Sequence, residues 1–231
     1  MNTFFFGIYP YIALSVLAVG SIIRYDREPY TWKSSSSQLL RRKQLMVGSV
    51  LFHIGVLTIF FGHLFGLLTP LALISALGIS HEAKQILAMS VGGVAGVLAL
   101  IGGGMLAHRR LNDPRIKATS SFADTAIILI LLLQLVLGLS TIAVSAQHLD
   151  GEEMTKLMIW AQHILTFRSA ADHIADVNII FKLHIILGLT IFLLFPFTRL
   201  VHILSAPVRY LWRPGYQIVR TRKRGVPQAG E

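Results

Sequence analysis

Nine histidines punctuate the chain, and four of them stand where histidine is hardest to accommodate. His53 and His63 lie in one long apolar stretch, His184 and His202 in another. An ionisable side chain inside a bilayer is expensive and by default marks a functional position. A single membrane histidine often does no more than hydrogen-bond between helices. Four of them on two stretches, with no other ionisable group at those depths, ask for a ligand. The other five, His81, His108, His148, His163 and His173, fall in loops or at the edges of apolar stretches. Surface polarity or headgroup contact accounts for those.

The chain has no cysteine. Disulfides, cysteine-ligated iron–sulfur clusters, cysteine zinc sites and covalent c-type haem attachment are thereby excluded. A metal here must be held by His, Met or oxygen.

The elements that position the histidines follow from composition. Of 231 residues, 54% are hydrophobic and 14% charged, where a soluble domain has about 25% charged. This predicts an all-α, polytopic membrane bundle, because only helices or closed barrels satisfy their own backbone in hydrocarbon. Five spans are expected at about 3–23, 45–68, 85–107, 125–147 and 183–205, each near the roughly 20 residues a crossing needs. Thr69-Pro70 is a break, with a re-entrant or interfacial piece after it. One membrane domain over 1–231 ends in a basic tail, 206–231, and Ser34–Ser37 reads as solvated inner loop. Asp150 reads as a helix N-cap with Glu153 three residues on. Met154, Leu157, Met158, Ala161, Ile164 and Leu165 follow at helical spacing, which predicts a short amphipathic outer helix.

Orientation follows from Lys and Arg. Of 21 such residues, one side holds Arg24, Arg27, Lys33, Arg41, Arg42, Lys43, Arg109, Arg110, Arg115, Lys117, Arg199 and those of the tail. The other side holds only Lys84, Lys156, Arg168 and Lys182. The N-terminus is therefore expected outside and the C-terminus inside. The first span has positive charges after it and none before, so it reads as an N-outside anchor and not a cleaved leader. The net charge of +10 is accounted for by this pattern, and nucleic acid is not an expected partner.

Topology then pairs the histidines. Span two runs outward and span five inward, so His53 meets His202 at an inner level and His63 meets His184 at an outer one. Ten residues of helix rise about 15 Å and eighteen about 27 Å, a range that brackets two planar cofactors stacked about 20 Å apart. Eighteen residues return to the same helix face, whereas ten end about 80° round. Span two therefore needs twist, and Pro196 is where span five would bend. Zinc wants three or four ligands, and none is near. Haem b wants two axial ligands and an apolar slot, and bis-histidine ligation suits electron transfer. Gly55, Gly62, Gly66 and Gly188 could open such a slot, or serve close helix packing, as could the span-three row Gly92, Gly93, Gly96, Gly102, Gly103 and Gly104. Arg109, Arg110 and Arg199 are candidate partners for anionic propionates, with contact to lipid phosphate as the alternative.

The stretches FFFGIYPYIA, RYDREPYTW, LFHIGVLTIFFGHLFGLLTP, SAQHLDGEEMTKL, KLHIILG and LLFPFTRLVHI resemble the gamma subunit of respiratory, membrane-bound nitrate reductase. They run through nearly the whole chain and include all four deep histidines. The resemblance implies a five-helix cytochrome b subunit with two b haems, His53 and His202 holding the inner one and His63 and His184 the outer one. It implies oxidation of a quinol, menaquinol or ubiquinol, near the outer haem, with Lys84 matching a lysine at the quinol site. It implies an iron–sulfur beta subunit and a molybdenum-containing alpha subunit on the inner face, and residence in the bacterial inner membrane. The chain alone has no cluster ligands or molybdenum domain and is not expected to reduce nitrate. The alternatives are the same haem anchor serving another quinone-linked reductase, a transporter with a histidine relay, or an anchor with no redox role.

Overall fold

The computed structural model describes residues 1–32, 40 and 42–205. The serine patch Ser34–Ser37 and the tail 206–231 lie outside the described residues. Among the described residues every regular element is helical. Five helices are long and apolar enough to cross a membrane: Phe4–Arg27, Arg42–Leu68, His81–Asn112, Phe122–Ser145 and Ile179–Phe197. They match the five expected spans one to one, except that the fifth ends at Phe197 and not at 205.

In chain order the α-helices are α1 (Tyr9–Arg27), entered through a π-helical turn at Phe4–Ile8, α2 (Arg42–Leu68), α3 (Leu71–Ala76) and α4 (His81–Asn112). They continue with α5 (Pro114–Ala118), α6 (Phe122–Ser145), α7 (Glu152–Leu165) and α8 (Ile179–Leu194). Polar side chains close the helix starts at the membrane edges. Ser80 accepts the Ala83 N–H, and Ser121 and Asp124 form a reciprocal box at the start of α6. Asn178 accepts the Ile180 N–H at the start of α8. Each meets an N–H that hydrocarbon could not. Pro70 divides α2 from the short α3, as the sequence predicts.

Two expectations need correction. The N-cap of α7 is Gly151, not Asp150, and it adopts a left-handed φ of 75°. Asp150 Oδ1 accepts the Glu152 N–H at 3.0 Å. Glycine is required there twice over, for the backbone angle and because a Cβ would come within 2.7 Å of the His81 Cβ. The second correction concerns span five, which is not one α-helix to residue 205. The α-helix stops at Leu194, and the chain continues in 3₁₀ turns at Phe195–Phe197 and Arg199–Ser205. Pro196 supplies no N–H and its ring obstructs the preceding turn. The eighteen-residue α-helical geometry between His184 and His202 therefore does not apply.

Arg24, near the C-terminal end of α1, secures the break. Its Nη1 donates to the carbonyls of Pro196 at 2.6 Å and Thr198 at 2.8 Å. Gly20, one turn earlier, lets Pro196 close on α1, since a Cβ would sit 2.9 Å from the proline Cγ. Val201 is fully buried against Ile127, Ile191 and Phe195. These contacts set the height of the segment that carries His202.

Close packing runs in a row, α2 on α4, α4 on α6, α6 on α8 and α8 on α1. Small residues make the first contact possible. A Cβ on Gly102 would lie 2.6 Å from the Gly48 carbonyl oxygen, and one on Gly55 would lie 2.6 Å from the Ala99 nitrogen. Backbone atoms cannot yield as a side chain can. On the other side of α4, Gly96 accommodates Leu139 of α6.

Beyond α6, α7 packs onto the bundle. Met158, Trp160 and Ile164 are buried, Trp160 Nε1 donates to the Phe6 carbonyl at 2.9 Å, and Tyr11 donates to the Ile164 carbonyl at 3.1 Å. Lys156 bridges Glu152 at 2.9 Å and Asp176 at 2.8 Å, and its hydrogen bond holds the Asp176 carboxyl below the usual carboxylate range. The apolar spacing of this helix is thus used for packing.

The α2–α4 seam gives the first prediction. Gly55→Ala and Gly102→Ala should each destabilise the protein by about 1–3 kcal/mol through overpacking, read as a lower thermal midpoint in detergent. Gly104→Ala, which meets nothing within 4 Å, should leave that midpoint unchanged.

Candidate functional site

The two histidine-bearing segments face one another across the bundle at two levels. The His53 and His202 rings have centroids 6.3 Å apart, and those of His63 and His184 are 6.1 Å apart. Both expected pairs are therefore brought together. The 80° offset on α2 is absorbed because His202 approaches from the 3₁₀ segment after Pro196.

Three imidazoles are held the same way. Nδ1 of His53 contacts the Ser49 carbonyl at 2.7 Å, Nδ1 of His63 the Ile59 carbonyl at 2.9 Å, and Nδ1 of His202 the Arg199 carbonyl at 2.6 Å. A carbonyl only accepts, so each Nδ1 is the donor. In the neutral ring Nε2 then carries the lone pair, and a carbonyl on Nδ1–H is the usual support of a metal-bound histidine. His184 differs. Its Nδ1 is buried without a partner, and Gln134 of α6 donates to its main-chain carbonyl at 3.0 Å. Gly138 leaves room for its ring, as a Cβ there would be 3.0 Å from Cε1.

This donor set fits a bis-histidine haem. Two ring nitrogens on opposite sides of one metal, each at about 2 Å, put the ring centroids roughly 6 Å apart, as both pairs are. Among the described residues no group of three or more His, Cys, Asp or Glu is assembled, so the pairs lack the further ligands zinc would want. His53 and His63 are exposed on an apolar helix, where hydrocarbon would leave them unsatisfied. Gly62 and Gly66 border open space, as a slot requires. Gly55 is filled by α4 and belongs to helix packing instead, and Gly188 lies against the Gln134 amide.

The candidate charged residues are distributed as follows. Lys84 Nζ donates to the Gly66 carbonyl at 2.8 Å and to Met158 Sδ at 2.9 Å, one turn beyond His63 on α2. Arg199 Nε lies 2.8 Å from Asp124 Oδ1, and Arg110 Nη1 lies 3.5 Å from Asp124 Oδ2. Arg109 is buried and donates to the Leu40 carbonyl at 2.6 Å, which ties the α1–α2 connection to α4. Of the five peripheral histidines, His163 and His173 stack edge to face at 4.7 Å, with His163 Nδ1 on the Ser169 carbonyl.

A match to the family described as "Nitrate reductase gamma subunit" covers residues 2–222. The chain belongs to the nitrate reductase gamma subunit family. It is similar to the respiratory nitrate reductase 1 gamma chain of Escherichia coli (strain K12), with 54% identity over 223 residues, covering 96% of this chain and 98% of that one. The respiratory nitrate reductase 2 gamma chain of the same organism is likewise 54% identical over 224 residues, with the same coverage. The nitrate reductase gamma chain of Bacillus subtilis (strain 168) is 38% identical over 216 residues, covering 94% and 96% of the two chains.

Within this gamma subunit, sequence reasoning missed four supports of the histidine pairs: Arg24, Asp124, Gln134 and Gly138. Pro196 in an apolar span was a signal for Arg24, because a proline break frees carbonyls that need a donor. Gln134, a lone amide in the most apolar span, was a signal of the same kind. Asp124 reads from the sequence as an acidic residue at a span edge, the nearest one available to a histidine relay, and its pairing with Arg199 depends on the fold of span five.

Asp124→Asn keeps an acceptor for the cap but removes the charge shared by Arg110 and Arg199. It should cost about 1–3 kcal/mol, less than the roughly 3–5 of a fully buried pair. Thermal unfolding in detergent, followed by circular dichroism, checks it.

Proposed function

We propose that this gamma subunit is a dihaem cytochrome b that oxidises quinol near the outer membrane face and delivers electrons to an iron–sulfur partner of nitrate reductase on the inner face. The observation that carries the reading is the pair of facing imidazoles at each of two levels, with Nδ1 of three rings bound to main-chain carbonyls. His63 and His184 would hold the outer haem, His53 and His202 the inner one. The haems would supply one-electron carriers between the two faces, with no open position for oxygen chemistry.

The chain's own residues do the rest. An ammonium has three donors, and Gly66 and Met158 occupy two of those of Lys84. The third is available to a quinol oxygen within a turn of His63. Protons released there leave on the outer side, while electrons go inward, so charge is separated without a proton channel. Arg199 lies three residues before His202, whose Nδ1–H its carbonyl accepts, and Arg110 shares Asp124 with it; together with Arg109 they are the candidate partners for the inner propionates. Asp124 offsets part of their charge and so tempers any anion they bind. That same pairing removes Asp124 from service as a relay acid, which disfavours the transporter alternative. The basic inner loops would face an acidic patch on the soluble partner, in a chain oriented N-outside by the positive-inside pattern.

Two outcomes test this. Membranes containing the gamma subunit should hold two b haems per chain by pyridine haemochrome. His63→Ala or His184→Ala should remove the outer one and stop quinol-driven nitrate reduction, and His53→Ala or His202→Ala should remove the inner one. Retention of both haems in any of these variants contradicts the assignment. Lys84→Ala should keep both haems yet lower kcat/KM for quinol roughly 10- to 100-fold, the equivalent of losing a charge-assisted hydrogen bond of about 1.5–3 kcal/mol.

A further inference from the structure

We propose that Gln134 is the positioning residue of the outer haem ligand, its side-chain carbonyl accepting the Nδ1–H of His184. The inference rests on the dihaem reading above. Three of the four imidazoles already give their Nδ1–H to a main-chain carbonyl. The fourth, His184, has a buried Nδ1 with no partner, and Gln134 Oε1 is likewise buried with none. One is a donor in the tautomer a ligand needs, the other an acceptor, and they belong to side chains already in contact. Gln134 Nε2 lies 3.4 Å from His184 Nε2 and donates to the His184 carbonyl at 3.0 Å. The amide is therefore anchored to the same residue whose ring it would orient.

The space around the pair is shaped for adjustment. Gly138 lies one turn beyond Gln134 on α6, and a Cβ there would press on His184 Cε1 at 3.0 Å. Gly188 lies one turn beyond His184 on α8, and a Cβ there would sit 3.2 Å from Gln134 Nε2. Each helix thus leaves a gap opposite the other's polar side chain. A turn of the ring about its Cβ–Cγ bond can bring the two orphaned atoms together and free Nε2 for iron. In α6, the most apolar of the five spans, the unpartnered Gln134 Oε1 is costly without an acceptor role.

An acceptor on Nδ1–H raises the basicity of the ligand. It stabilises ferric iron and lowers the potential, so its removal raises the potential. The test uses membranes carrying the assembled reductase and reads each haem separately, by redox titration and by low-spin ferric EPR. Gln134→Leu should retain both haems. Its outer haem, identified as the one lost in His184→Ala, should shift about tenfold toward the reduced form, which is about 59 mV upward for one electron, and its ferric EPR signal should move. The inner haem should be unchanged in both readouts. An outer haem unchanged in potential and signal overturns the proposal, as does an equal shift of both haems. If Gln134→Leu loses the outer haem altogether, Gln134→Glu decides. That variant keeps an acceptor, so an outer haem regained at a potential below wild type supports the role, and no haem regained overturns it. Failure of the dihaem reading itself is distinguishable, because wild-type membranes would then contain no haem that depends on His184.

Discussion

Hydrocarbon offers no hydrogen-bond partner, and this constraint organises the structure. Each polar group within the spans must be answered by the chain itself or by something the chain holds. The main chain answers for Nδ1 of His53, His63 and His202 through carbonyls three or four residues earlier. Those bonds place the donor proton of each of these three rings on Nδ1 and leave Nε2 to carry the lone pair. Several hydroxyls of the spans follow the same rule, as in Tyr9 with Thr190 at 2.9 Å and Ser90 with the Ile86 carbonyl at 2.8 Å.

The His53–His202 pair depends on a defect that is repaired elsewhere. Pro196 ends α8 early and would leave carbonyls unsatisfied in the membrane. Arg24 meets the carbonyls of Pro196 and Thr198 from the neighbouring helix, and Gly20 lets the proline close in. The break changes the direction of the chain, which brings His202 to His53. A straight helix would have presented His202 by simple α-helical phase, and the ten-residue spacing on α2 would then have mismatched it. Breaking one helix is how two unequal spacings reach the same two levels.

At the His63–His184 end the design is different. There α7 lies over the bundle, and its side chains finish helices that belong to others. Gln162 donates to the carbonyls of Leu67 and Thr69, closing the end of α2, while Met158 shares Lys84 with Gly66. The segment that reads as a surface amphipathic helix thereby shapes the surroundings of the lysine beside His63. Its Lys156 bridge to Asp176 fastens the loop that leads into α8.

The sequence by itself determined the class of the protein, its five spans and its histidine pairs. Those follow from apolar length, from the distribution of Lys and Arg, and from the antiparallel run of two helices, all of which are local or one-dimensional. It also carried the family, because the motif stretches include the four deep histidines. Only the tertiary structure decided what each glycine does. Gly55 and Gly62 look alike in sequence, yet one abuts the α4 backbone and the other borders open space. It likewise decided that Asp124 joins Arg110 to Arg199, that Arg24 answers Pro196, and that Gln134 lies against His184. These partners are distant in sequence and meet only when helices pack. Spacing along one helix reports which face a residue shares, and not which other helix fills that face.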